Sequence, residues 1–210
     1  MEVLAKGAEA DIVLGEMSIG CGPPLRVIVK RRIRKRYRNP ALDTQIRAER
    51  TRREARLLHE AKKAGVNTPV VYLVNPSTFE IVMEHVEGCI LKNVVETVSN
   101  SLLEEVCTWI GGDVAKLHTH NIVHGDLTTS NMLLHGNRLV FIDFGLGEVT
   151  PSIEAKGVDL HLLKKALHTT HREKAEIMLE HIFEAYQGLY SDADKVLTRV
   201  NQIESRGRYL

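Results

Sequence analysis

The segment His124-Gly125-Asp126-Leu127-Thr128-Thr129-Ser130-Asn131, followed after one short strand by Asp143-Phe144-Gly145, constrains this chain more than any other feature. It sets an aspartate and an amide in one loop and a second aspartate at the end of the next hairpin, so the fold must turn two loops toward each other. The spacer agrees: Leu133-Leu134, a turn at His135-Gly136-Asn137 and Leu139-Val140-Phe141-Ile142 read as a hairpin ending at Asp143. Moving a γ-phosphoryl group requires a carboxylate near the attacking oxygen and hard oxygen ligands for magnesium. Asp126 suits the first need. Asn131 and Asp143 suit the second, with an amide oxygen and a carboxylate that bridges metal to the β- and γ-phosphates. A lone loop aspartate is more often a turn former or helix cap. The joint spacing carries the reading.

The upstream half offers the other groups such a site needs. Leu25-Arg26-Val27-Ile28-Val29-Lys30 is a strand-like run after the Gly20-Cys21-Gly22-Pro23-Pro24 turn, and it ends like the V-A-I-K strand of kinases. Lys30 is therefore the expected ligand of the α- and β-phosphates. Asp43 or Thr44 is predicted to cap a helix running to about Ala64, with Gly65 and Pro69 as stop signals. Glu54, Leu57, Leu58 and Ala61 share one face of it, which makes Glu54 the expected partner of Lys30, with Glu49 and Glu60 as alternatives. Lys6-Gly7-Ala8-Glu9-Ala10-Asp11 has one glycine where kinases use G-x-G-x-x-G, at a hairpin tip between Val3-Leu4 and Ile12-Val13-Leu14. Its backbone N–H groups would cradle phosphate.

In Gly7-Ala8-Glu9-Ala10, Tyr37-Arg38-Asn39-Pro40-Ala41-Leu42-Asp43, Gly125 to Met132, Asp143-Phe144-Gly145-Leu146 and Val158-Asp159-Leu160, the chain resembles the small atypical kinase of the KEOPS complex. That family is related to the RIO kinases within the protein-kinase-like superfamily, and the resemblance runs through nearly all 210 residues. It implies an α+β, compact bilobal fold: residues 1–84 as a small antiparallel β N-lobe with one helix, and 85–210 as a hinge and reduced, mainly helical C-lobe. It implies ATP and Mg2+ as cofactors. Gly7, Ala8, Glu9, Ala10 and Lys30 would meet the phosphates; Met83, Glu84 and Val86, in the Met83-Glu84-His85-Val86 hinge, would meet adenine; Asn131 and Asp143 would hold the metal. Asp159 would brace the catalytic loop from below, and Leu58, His124 and Phe144 would stack as a spine. The implied role is an ATP-dependent atypical serine/threonine kinase or ATPase that supports threonylcarbamoyladenosine modification of transfer RNA. Its partners would be the threonylcarbamoyl-transfer subunit, other KEOPS subunits and transfer RNA. A RIO kinase proper is expected to lack the Phe144-Gly145 pair.

Departures from ordinary protein kinases bear on mechanism. Gly125 replaces the arginine that reads a phosphorylated activation loop, and Thr128 replaces a lysine that steadies the transferring phosphate. No A-P-E motif follows Gly145, and 65 residues remain (210 − 145), too few for the usual substrate-docking helices. ATP hydrolysis, or phosphorylation of one dedicated partner, suits this better than general signalling. The rival readings are a small-molecule phosphotransferase and a non-catalytic nucleotide-binding adaptor.

No run approaches the roughly 18 apolar residues of a membrane span and no signal-peptide pattern opens the chain, so a cytoplasmic protein without membrane contact is expected. Cys21, Cys89 and Cys107 form neither a zinc spacing nor a disulfide framework. Net charge is only +1, yet the stretch from Lys30 to Arg56 holds 12 Lys and Arg against Asp43, Glu49 and Glu54 (12 − 3 = +9). That stretch, with Arg206-Gly207-Arg208 near the C-terminus, is the candidate transfer-RNA surface; the plainer reading is a solvated basic face with arginines paired to local carboxylates. Farther along, Ser101-Leu102-Leu103-Glu104 reads as a capping box opening a helix to about His120, with Val106, Ile110, Val114 and Leu117 inward. Leu162, Leu163, Ala166 and Leu167, then Ile177, Met178, Ile182 and Phe183, are expected core stripes.

Overall fold

The computed structural model describes residues 2–7 and 9–207. β1 (Glu2–Lys6), β2 (Ala10–Met17), β3 (Leu25–Arg32), β4 (Val71–Asn75) and β5 (Glu80–Glu84) form an antiparallel sheet in the order β1-β2-β3-β5-β4. β3 is central, with Lys30 opposite Ile12 on one side and Ile81 on the other. Alternation along the strand puts Ile28, Lys30 and Arg32 on one face.

α1 (Pro40–Lys63) connects β3 to β4. It starts earlier than the sequence suggests, because the cap is Asn39, whose side chain accepts from the Ala41 N–H at 3.0 Å, and Pro40 occupies the first turn where a missing N–H costs nothing. Asp43 is instead buried inside the helix, accepting from the Lys35 N–H at 3.1 Å and from Arg47 Nε at 2.7 Å. Thr44 bonds back to the Pro40 carbonyl. The inward face carries Thr51, Glu54, Ala55, Leu57, Leu58 and Ala61, so the expected grouping of Glu54 with three apolar residues holds.

Past β5 come β6 (Cys89–Ile90), α2 (Leu91–Val94), α3 (Asn100–Thr119), β7 (Ile122–Val123), a 3-10 turn (Thr129–Asn131), β8 (Met132–His135), β9 (Arg138–Phe141), β10 (Glu148–Val149), α4 (Ile153–Thr170), α5 (Ala175–Leu189) and α6 (Ala193–Gly207). β8 and β9 are the expected hairpin, extended by β6, and β10 pairs with β7. α3 is capped by Ser99, which receives the Leu102 N–H at 3.3 Å, rather than by Ser101, whose hydroxyl only meets that of Ser99. Its Val106, Ile110, Val114 and Leu117 are fully buried. α5 lies so close on α3 that a side chain at Gly111 would run into the Ile182 carbonyl, and the glycine permits this approach. α5 turns inward Ala175, Met178, Leu179, Ile182 and Tyr186, while Ile177, expected in the core, is 44% exposed. One buried apolar cluster runs from Leu57 and Leu58 through α3 and Phe144 to Val196 and Val200.

Candidate active site

The catalytic loop is set from beneath by one carboxylate. Asp159 of α4, 1% exposed, receives the His124 N–H on Oδ2 at 2.8 Å and the Gly125 N–H on Oδ1 at 2.9 Å. Both backbone groups are thereby satisfied in a dry environment. Gly125 has φ +80°, and a Cβ there would strike the Leu146 carbonyl. The close crossing of two loops, rather than the loss of an arginine alone, explains the glycine. The His124 ring lies 4.4 Å from that of Phe144, and its Nε2–H donates to the Ile142 carbonyl at 3.1 Å while Nδ1 accepts from the Asp126 N–H. Burial holds its pKa below the ordinary histidine value, consistent with this neutral tautomer.

Asn131 Nδ2 donates to both the Asp126 carbonyl and Asp126 Oδ2, each at 2.8 Å. The amide nitrogen is thus spent, leaving the oxygen of Asn131 for a hard cation. Asp143 has φ +63°, a left-handed conformation costly for a non-glycine residue, and Phe144, fully buried beside it, anchors the turn. Its Oδ1 meets Lys30 Nζ at 2.7 Å and the Gly145 N–H at 3.3 Å. Burial alone would raise the Asp143 pKa; Lys30 and that N–H bring it below the usual carboxylate value. Among the described residues no group of three or more His, Cys, Asp or Glu could hold a metal. An Asn131 and Asp143 pair suits magnesium, which binds through few protein oxygens and completes its shell with water and phosphate.

Above the loop, Lys30 Nζ lies 2.6 Å from Glu54 Oε1, so the structure brings Lys30, Glu54 and Asp143 together. Burial would depress the Lys30 pKa, and the two carboxylates more than reverse this, keeping the ammonium charged. Glu49 is exposed and Glu60 pairs with Lys63, so neither alternative reaches Lys30. Glu54 has a second cation that sequence reasoning missed: Arg32 Nη2 binds its Oε2. The signal was available in the period-two spacing from Lys30.

A cavity of about 320 Å³ is lined by Gly7, Glu9, Ala10, Lys30, Arg32, Asp126, Asp143, Gly145 and Leu146, among others. Asn131 supports its floor through Asp126. The phosphate-loop expectation changes in detail. The Gly7 N–H closes a turn onto the Ala10 carbonyl at 2.9 Å instead of facing the cavity, and a Cβ at Gly7 would sit 2.8 Å from that carbonyl. Glu9 is an anchor, bound by Arg50 of α1. Ala8 lies outside the described residues. At the hinge, Met83 is 7% exposed, but Glu84 and Val86 line a separate cavity of about 410 Å³ with Lys62, His85, His135 and Arg138. The Glu84 N–H is taken by the Val70 carbonyl at 2.8 Å, so that donor is not free for a ligand.

Part of the basic stretch is buried or paired with carboxylates. Lys30 and Arg32 are in the site, Arg31 pairs with Glu80, Arg47 with Asp43, and Arg50 with Glu9. Arg34, Arg36, Arg52 and Arg56 are exposed. Arg206 lies 4.0 Å from Glu154, and Arg208 falls outside the described residues. Sequence also gave no sign that His171, far along the chain, would bond the Thr129 hydroxyl at 3.0 Å beneath the catalytic loop.

The family model for the RIO domain matches residues 26–147, more than half of the chain. The KEOPS complex subunit Bud32 of Pyrococcus abyssi is 45% identical over the whole chain and 96% of its own length. The chain belongs to the Bud32 family. Since the RIO-domain match spans Asp143-Phe144-Gly145, that triplet does not set the Bud32 family outside the domain. A probable bifunctional tRNA threonylcarbamoyladenosine biosynthesis protein of Methanothermobacter thermautotrophicus is 46% identical over 99% of the chain, which spans only 36% of that relative. Among solved structures, Rio2 kinase from Chaetomium thermophilum superposes with a TM-score of 0.64 at 14% identity, covering 99% of this chain and 72% of that one. WaaP gives 0.55 at 15% identity, covering 93% and 88%. These two likenesses establish the protein-kinase-like fold.

Proposed function

We propose that the chain is an ATP- and Mg2+-dependent atypical serine/threonine kinase or ATPase, acting as a KEOPS subunit in the threonylcarbamoyladenosine modification of transfer RNA. One observation carries this: Lys30, clamped between Glu54 and Asp143, faces Asp126 across a single cavity. A RIO domain is a kinase-like fold for a nucleotide and a divalent metal. Residues 1–84 act as one lobe and 85–210 as the other, with the sheet carrying the phosphate cations and the helical part the carboxylates of the reaction.

In the proposed reaction Lys30 fixes the α- and β-phosphates, and Asn131 with Asp143 would hold a magnesium ion, which would supply charge neutralisation to the phosphates. Asp126 orients a hydroxyl or water, whose oxygen bonds to the γ-phosphorus as the bond to the β-bridging oxygen breaks. ADP leaves, and the acceptor proton passes to Asp126 or solvent. Gly7, Glu9 and Ala10 close the phosphate end by their packing, and Met83, Glu84 and Val86 would meet adenine through groups other than the Glu84 N–H, which Val70 holds. The exposed Arg34, Arg36, Arg52 and Arg56 are the proposed contacts to transfer-RNA phosphates. No described helix is long and apolar enough to cross a membrane, and a cytoplasmic location is proposed.

The deciding experiment is magnesium-dependent phosphate release from ATP, by the chain alone and with transfer RNA plus the threonylcarbamoyl-transfer subunit. Asp126→Ala is expected to abolish turnover and leave ATP binding largely intact. Equal turnover in wild type and variant would refute the assignment of Asp126. Binding without Asp126-dependent release would favour the adaptor, and release stimulated by a metabolite but indifferent to RNA would favour a small-molecule phosphotransferase.

A further inference from the structure

The cavity wall carries a cation without a counterpart in the reaction described above. Arg32 projects from the same face of β3 as Lys30 and is 6% exposed. Its Nη2 binds Glu54 Oε2, its Nη1 stands 3.7 Å from Glu9 Oε2, and its buried Nε has no hydrogen-bond partner among the described residues. The guanidinium also covers Gly145, where an added Cβ would come within 3.0 Å of Nη2. Lys30 and Arg32 are the two cations on the described wall, against Glu9, Asp126 and Asp143. Lys30 is already matched by Glu54 and Asp143, so it has little charge to spare for a third phosphate.

The two contacts of Arg32 differ in kind. Glu54 is 1% exposed and holds Nη2 closely, whereas Glu9 is 48% exposed on its side chain, lies beyond hydrogen-bond distance from Arg32, and is held closely by Arg50. A carboxylate loosely opposed to a buried guanidinium marks a place where an anion is stabilised and can be exchanged. A phosphate oxygen is the anion a guanidinium binds best.

We propose that Arg32 is the γ-phosphate cation of this site, supplying the charge that Thr128 does not. When a triphosphate enters, Nη1 exchanges the Glu9 carboxylate for a γ-phosphate oxygen, Nη2 stays on Glu54, and Glu9 remains on Arg50 to keep the loop against α1. The simpler account makes Arg32 only a clamp joining β3, α1 and the loop. A clamp stabilises the empty, diphosphate and triphosphate states alike, while a γ-phosphate ligand distinguishes the last two. The proposal rests on the kinase or ATPase reading, so its test separates the two.

Affinities of the full chain for Mg2+–ADP and for a non-hydrolysable Mg2+–ATP analogue are measured by calorimetry, with phosphate release, for wild type, Arg32→Met, Arg32→Lys and Glu9→Gln. Wild type is expected to favour the triphosphate. Arg32→Met loses that preference by about tenfold, as for a lost hydrogen bond to a charged group. Its kcat falls about a hundredfold, while ADP affinity changes little. Arg32→Lys keeps part of the preference, and Glu9→Gln increases it. Equal weakening of both nucleotides in Arg32→Met, or an unchanged ratio, overturns the proposal in favour of a clamp. If Arg32→Met does not fold, unchanged ratios in Arg32→Lys and Glu9→Gln overturn it equally. A wild-type chain that binds neither nucleotide refutes the nucleotide-site reading itself, and the role of Arg32 with it.

Discussion

Two carboxylates organise this molecule, and they work in opposite ways. Asp159 sits under the catalytic loop and is matched by backbone N–H groups of His124 and Gly125, so the loop's path is built into the helical core. Glu54 sits under the sheet and is matched by side-chain cations, Lys30 and Arg32, that also reach Asp143 and Glu9. Backbone partners cannot move without unfolding the loop. Side-chain partners can exchange one anion for another. The lower region is therefore preset, whereas the upper one is held by partners that can exchange, which suits the proposed cleft with a catalytic floor and a roof that admits a nucleotide.

Removing Asp159 should have the larger effect. Asp159→Ala leaves two backbone donors without their partner and is expected to cost about 4 kcal/mol, taking roughly 2 kcal/mol for each buried unsatisfied group. Urea unfolding would read this, and an unchanged midpoint would show that the loop is held by packing alone. Glu54→Ala comes next at about 3 kcal/mol, the low end for a broken buried ion pair, because Lys30 keeps Asp143 and Arg32 keeps Glu9. Its effect on turnover should exceed its effect on stability; the reverse ordering would make Glu54 a structural residue first.

The smallest effect sharpens the contrast through pH. His118, His124 and His171 all belong to the helical region, and burial pulls each below the ordinary value of 6.5, with Asp159 or Glu96 only partly opposing it. Above that value both folded and unfolded chains carry these rings neutral, so stability is complete. As pH falls below 6.5 the unfolded chain takes up protons first, and stability is lost toward the folded-state values. Unfolding free energy is expected to be level from about pH 8 to 7 and to decline below pH 6.5, a window anchored on the ordinary histidine value. A level profile through pH 5 would mean the rings remain equally protonated in both states.

Some of this was legible residue by residue. Glu54 could be chosen over Glu49 and Glu60 because it shares the helical face of Leu57, Leu58 and Ala61, and only that face meets the sheet. Helix starts were read less well. Asp43 and Ser101 have the right chemistry for caps, but Asn39 and Ser99 hold those positions, and Asp43 instead receives the Lys35 N–H and Arg47. Local preference allows several caps within a turn, and tertiary partners select among them. The basic run met a similar limit. Counting charges cannot tell Arg32, buried on Glu54, from Arg34, exposed one period farther along.

The sequence by itself determined the candidate groups of the proposed reaction, because their spacing follows from chemistry: Asp126 and Asn131 in one loop, Asp143 after a hairpin, and Lys30 at the end of a strand. It also determined the periodic faces that bury α1 and α3. Only the tertiary structure decided which carboxylate answers which cation, why Gly125 must be glycine beneath Leu146, and that Glu9 anchors a loop while Arg32 lines the cavity. Those choices depend on contacts between residues distant in the chain. Their energies come from burial and from the desolvation of paired charges, quantities that do not exist until the elements have packed.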